Sequence, residues 1–455
     1  MIRGDTADNA AAASRPAIAN RLKRGGSASF LINSAGMGLA MLLQIALARL
    51  LGVEGYGVYA FVTTVVTFMV FPTKLGFDTA IVRLTASYRV RGEWALIKGL
   101  LRRSNQIGLI LSIAAAVIGL IFVAWKGFEG DQAKLIAYAA GFAMIPLMTL
   151  ATLRQSALQA MKDVVFAQMP EKILRPVLTI LFVGIAVVLG FHADAGTAMI
   201  SFGLAVIVSY GVGAVVLKKR IGSQIANLVP HYETRSWLRL SSSLMANAGM
   251  YLILGQLNVL MMGLMRGETE SGIFSAAVRL AMLVSFMLTA VNMTASPLIS
   301  ESFTKGDWKG LQQVCTSTGR IGFAFAAVVF LFFAIFGNWT LALFGPEFTQ
   351  AYPALLILGF GQLFSAYCGQ NGTVATMTGG QNALTKILVL AAIVNAILNA
   401  LLIPVIGMTG GAIAATVSIM VWNLGAVIQV RRKPGVQTLA WIPRLPFSSS
   451  RQRRD

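Results

Sequence analysis

Carboxylates are scarce in this chain, and scarcest where a transported cation would need them. Its 455 residues hold 17 Asp and Glu against 37 Lys and Arg. None of the acids falls near the middle of a long apolar run. Proton or sodium antiport through a buried acid therefore lacks its usual group. Asp78, Asp163 and Glu171 form no paired-carboxylate motif of the kind acid–base catalysis uses. Histidine is limited to His192 and His231, and cysteine to Cys315 and Cys368, with no metal-ligand spacing among them. The reading therefore calls for no catalytic residue, no metal and no cofactor. The repeat described below puts Cys315 in a loop and Cys368 inside a span, so no disulfide is expected. Charged residues make up only 12% of the chain, about half the share of a soluble domain.

Apolar runs fill the space that charge leaves. Mean hydropathy is +0.73, and runs near the length of a bilayer crossing, about 20 residues, recur throughout. They predict twelve spans at 28–50, 56–77, 104–125, 134–158, 170–190, 195–217, 240–264, 271–294, 317–337, 351–375, 384–404 and 408–430. The fold class is thus all-α and integral to a membrane. With the N-terminus inside, 31 of the 37 Lys and Arg fall in cytosolic segments. Only Lys126, Lys134 and Arg266 lie outside, where seven acids sit. This bias holds in every loop and predicts cytosolic N- and C-termini. The net charge of +20 would suit nucleic acid, but its confinement to alternate loops points to membrane topology and anionic lipid instead. Residues 1–26 read as a disordered basic tail with no cleavable signal. Residues 431–455 read as a second basic tail. Trp94–Arg103 reads as an amphipathic surface helix.

The chain contains itself twice. Gly92–Trp94 returns as Gly306–Trp308, Lys172–Leu174 as Lys386–Leu388, and Gly196 as Gly410, each 214 residues on. The offset is 213 from Gly36 to Gly249 and 215 from Gly57 to Gly272. Six spans per copy make the repeat parallel: an N-lobe at 27–220, a linker at 221–239 and a C-lobe at 240–430. Internal repeats are a common build of membrane carriers, with the substrate site between the copies.

Three basic residues fall within the spans, where charge is costly and tends to mark a pathway or a pair. Arg49 lies near an outer end, where it can snorkel. Lys74 stands one turn before Asp78 and suits an i,i+4 pair. Arg279 is about eight residues, roughly 12 Å, below the outer end of its span. A guanidinium facing a wet cavity there would suit phosphate, which it grips through two hydrogen bonds. Asn33 and Gln44, like Asn247 and Asn258, lie three helical turns apart, with Gln256 near the counterpart of Gln44. Two readings stay open for these stripes: lining of a cleft, or bonding between helices. Arg154, Glu171 and Arg175 cluster at the inner ends of spans 4 and 5, beside Pro170 and Pro176. They suit either a gate or a structural ion pair.

Three segments carry a family resemblance. AlaArgLeuLeuGlyValGluGlyTyrGlyValTyrAla (48–60), LeuGlyPheAspThrAlaIleValArg (75–83) and ProGluLysIleLeuArgPro (170–176) resemble the Wzx-type polysaccharide flippases of the MOP exporter superfamily. That resemblance implies a MATE-like fold of two six-helix lobes in a bacterial inner membrane. It implies alternating-access movement of an undecaprenyl-diphosphate-linked oligosaccharide from the inner to the outer leaflet, beside a polysaccharide polymerase and a chain-length regulator. It also implies basic cavity residues for the diphosphate, Arg279 first, with Arg49 and Arg83 as further candidates. Two rivals remain: a cation-coupled drug exporter of the same fold, and a membrane polymerase or glycosyltransferase.

Overall fold

A computed structural model describes residues 5–128, 130–161 and 163–441, with side chains from Phe30 onward except those of Val164, Ser223, Asn247, Met293 and Thr294. Among the described residues there is no strand. Helices α1 (Asp5–Thr73), α2 (Phe77–Arg91), α3 (Trp94–Lys126), α4 (Gln132–Ala143), α5 (Ile145–Ala160) and α6 (Val164–Met169) are followed by a π-helical turn, Pro170–Leu174. Then come α7 (Arg175–Val188), α8 (Ala195–Ile225), α9 (Thr234–Arg266), α10 (Glu268–Val284), α11 (Phe286–Thr304) and α12 (Trp308–Ala342). A short 3₁₀ turn, Pro346–Ala351, leads to α13 (Tyr352–Cys368), α14 (Asn371–Met377) and α15 (Gln381–Arg432).

Among the described residues, seven helices are long and apolar enough to cross a membrane, nine with each bent pair taken as one span. Two of these are double. α1 breaks at Gly52, and α15 breaks at Ile406–Gly407. Two crossings for each double helix bring nine to eleven among the described residues. Two spans are bent: α4 to α5 by 40°, and α10 to Phe286–Asn292 by 50°. At the second bend Ser285 Oγ bonds to the carbonyl of Met282 and Thr289 Oγ1 to that of Ser285. Such back-bonding competes with the helical ladder and bends it.

Four expectations are corrected. The segment expected to be a disordered tail is helical from Asp5. Trp94–Arg103 is no separate surface helix but the first turns of α3, because Ile97 and Leu100 bury one face of it. Cys315 lies buried inside α12 rather than in a loop. The chain after Arg432 packs rather than trails. Gln312 both donates to and accepts from the backbone of Gln437, and Arg320 stacks on Trp441. Residues 442–455 of the expected tail lie outside the described residues.

The chain forms two compact units. Unit 1 holds residues up to Ala276 with Asn338–Ala351 and Ala400–Gly411; unit 2 holds Ala277–Gly337, Tyr352–Asn399 and the chain from Ala412. Their division falls within α10, past the 221–239 linker. One reason lies at the repeat mates Gly57 and Gly272. A Cβ on Gly272 would stand 2.4 Å from the Cα of Gly57. A Cβ on Gly57 would stand 2.7 Å from the carbonyl oxygen of Glu268. The start of α10 therefore crosses α1 in backbone contact, which only glycine permits.

The 221–239 linker is likewise fastened within unit 1. Lys98 Nζ donates to the carbonyls of Ala226 and Leu228, and the His231 amide to that of Ala95. Trp237 is fully buried against Phe77, Ile81, Ile97, Leu100 and Leu153, and its Nε1 donates to Tyr88 Oη at 3.0 Å. Burial first, then the nearby Glu233 carboxylate, hold the Tyr88 phenol above its ordinary pKa, so it stays a hydrogen-bonding neutral group. Trp237→Ala is expected to cost roughly 3–5 kcal/mol of stability. Thermal unfolding of the purified protein checks this, and an unchanged midpoint would show the linker to be expendable.

Candidate substrate site

Within unit 1, three expected site residues converge on one point. The π turn lies between Met169 and Arg175, where an extra residue per turn rotates Glu171 towards α5. Arg154 Nη2 meets Glu171 Oε1 at 2.9 Å, and Arg175 pairs with the other carboxylate oxygen. The three side chains are 4%, 11% and 18% exposed for Arg154, Glu171 and Arg175. Arg154 Nη1 also donates to the carbonyls of Ser209 and Tyr210 on α8. Its guanidinium lies over the Tyr210 ring, and that of Arg175 over the Phe202 ring. A Cβ on Gly213 would sit 2.3 Å from Arg154 Cζ, so α8 keeps a slot open for this side chain. At the next residue after Glu171, Lys172 donates to Asn33 Oδ1, and Asn33 Nδ2 donates to Gln168 at 3.2 Å.

Other expected residues are engaged locally. Arg49 caps the end of α12, donating to the carbonyls of Ala342 and Leu343 at 2.6 and 2.7 Å. A guanidinium beside carbonyls at a helix C-terminus is well placed electrostatically. Gln44 is buried and accepts from Tyr56 Oη at 3.0 Å, so it joins the two arms of α1 instead of facing solvent. Lys74 forms its i,i+4 pair with Asp78 at 2.8 Å. Arg83 is exposed on α2. In α9, Asn258 is buried and Gln256 half-buried. The side chain of Asn247 lies outside the described residues.

Arg279 belongs to unit 2. Because α10 starts at Glu268, Arg279 is eleven residues along it, about 16 Å from its first residue. It is half-buried, and its Nε is covered yet has no hydrogen-bond partner. The acids nearest in sequence are spent elsewhere: Glu268 on Tyr138 and Lys134, Glu270 on Arg266. Sequence reasoning missed a buried amide network in unit 2. Asn371 Nδ2 donates to Asn423 Oδ1, and Asn399 Nδ2 to Asn395 Oδ1, each at 2.9 Å. The i,i+4 spacing of Asn395 and Asn399 was the available signal, since such pairs share a helix face.

These elements define an all-helical, multi-pass membrane protein, its cationic and amide groups sunk among apolar helices. Comparison narrows the class. Residues 22–303 match the model of the polysaccharide biosynthesis protein family, and the chain belongs to that family. It is 27% identical over 175 residues to an uncharacterized membrane protein of Methanocaldococcus jannaschii. That match spans 36% of this chain and about a third, 34%, of the relative's length. The fold is that of MOP-superfamily transporters. An inward-facing multidrug resistance MATE family transporter superposes with a TM-score of 0.71 at 15% identity, covering 89% of this chain and 98% of that one. The lipid II flippase MurJ, in an inward closed conformation, gives 0.68 at 13% identity over 88% and 87%. A MOP superfamily transporter from Pyrococcus furiosus gives 0.61 at 14% over 90% and 96%.

Proposed function

We propose that this protein flips a lipid-linked oligosaccharide, an undecaprenyl-diphosphate-linked repeat unit of a surface polysaccharide, across a bacterial inner membrane. The observation that carries the reading is Arg279: a guanidinium set deep along α10 with a covered, unsatisfied Nε. A buried donor without an acceptor is costly, and a phosphate oxygen arriving there would relieve it. Arg279 holds the diphosphate in this reading. Membership of a polysaccharide biosynthesis family supports the glycan. The fold supports alternating access, and the charge bias of the loops favours cytosolic termini. The excess of basic over acidic residues in the spans favours an anion, and export of an anion from a negative cytosol releases about 2.3 kcal/mol per charge per 100 mV. A polymerase and a chain-length regulator would take up the product.

A strain lacking the protein tests this. Lipid-linked oligosaccharide should accumulate on the cytosolic face while surface polysaccharide is lost, with mass spectrometry identifying the glycan. Normal polysaccharide with no trapped intermediate would refute the reading. Sensitivity to cationic drugs in that strain would favour a drug exporter of the same fold.

A further inference from the structure

We propose that Arg154, Glu171 and Arg175 form an oxyanion-binding site inside unit 1, in which the Glu171 carboxylate is a resident place-holder that phosphate oxygens displace. The site rests on its own geometry and is independent of the flippase reading.

Charge balance comes first. Arg154 and Arg175 share one carboxylate, and the adjacent Lys172 spends itself on the neutral amide of Asn33. Three cations face one acid. Buried positive charge in excess is costly unless an anion compensates it.

The arginines are also incompletely used. The Nε atoms of both Arg154 and Arg175 are buried with no hydrogen-bond partner. Each guanidinium plane is already fixed by an aromatic face, Tyr210 for Arg154 and Phe202 for Arg175. The open slot at Gly213 fixes the first further. Planar forks held this way suit bidentate contact with carboxylate or phosphate alike. Glu171 therefore marks the position an oxyanion takes.

Asymmetry of the repeat argues against a purely architectural role. At the 214-residue offset the counterparts of Arg154, Glu171 and Arg175 are Cys368, Thr385 and Val389. The second copy builds its helices without any such network, so the six-helix fold does not require it. Among the described residues, the π turn that presents Glu171 also lies only in the first copy, and such turns are frequent at functional sites.

The test is titration of the purified full-length chain with inorganic pyrophosphate, compared with chloride. Wild type should bind pyrophosphate, Glu171→Gln about tenfold more tightly, and Arg175→Gln at least tenfold more weakly. Should Glu171→Gln fail to fold, Glu171→Asp replaces it, because a shorter carboxylate cannot bridge both guanidinium groups and affinity should rise about threefold. Unchanged or weaker pyrophosphate binding on loss of the carboxylate overturns the place-holder. Equal binding by all variants is an adventitious ion only and overturns the site. An equal gain with chloride overturns the oxyanion assignment. Pyrophosphate binding with the expected signs, alongside normal polysaccharide in the deletion strain, would leave the site standing and remove the flippase.

Discussion

Arg279→Ala is expected to abolish export while the protein accumulates normally in the membrane. Loss of one partner of a buried, hydrogen-bonded charge pair costs about 2–5 kcal/mol, a factor of roughly 30 to 4,000 in affinity. Removing Arg279 also removes a buried donor that has no partner in the ligand-free chain, so the variant should be no less stable than wild type. Gain in stability with loss of transport is the signature of a binding residue; loss of both would indicate a structural one. Arg279→Lys separates charge from shape, since Lys keeps the charge and loses the fork. Export near wild type in the Lys variant means charge suffices. Full export by Arg279→Ala would sink the role.

Gly272→Leu is expected to have the second large effect. Its Cβ alone would stand 2.4 Å from the Cα of Gly57, and the obstacle is backbone, which has no rotamer to yield. Over-packing commonly costs about 1–3 kcal/mol, and here the strain falls on any state in which α1 and α10 cross closely. Alternating access needs helices to approach and part at one end, so export should fall sharply and the unfolding midpoint should drop. Gly57→Ala and Gly272→Ala relieve into the same contact, so their combined cost should be non-additive by about 0.5–3 kcal/mol. Strict additivity, with unimpaired export in Gly272→Leu, would show that the crossing tolerates separation and plays no part in the cycle.

The polar residues show where a one-dimensional reading stops. Lys74 and Asp78 were legible as a pair because they lie four residues apart, although Lys74 stands in the turn that precedes α2. Arg154, Glu171 and Arg175 were legible as a cluster because spans 4 and 5 are consecutive. Arg49 was not, because the carbonyls it caps lie almost 300 residues away. Gln44 was read by its helical spacing to Asn33, but its partner sits on the returning arm of the same hairpin. Of the unit 2 amides, Asn395 and Asn399 were legible from their spacing, whereas Asn371 was not, because Asn423 lies 52 residues further on.

The sequence by itself determined that this protein crosses a membrane about twelve times in two copies of one plan. Those properties follow from hydropathy, charge and offset, which are sums over neighbouring residues. Tertiary structure alone decided which cation is a cap, which is paired and which is left with an unused donor. Each outcome depends on the distance to groups on other helices. In a low-dielectric interior, a few ångströms separate a satisfied ion from one that still needs a ligand.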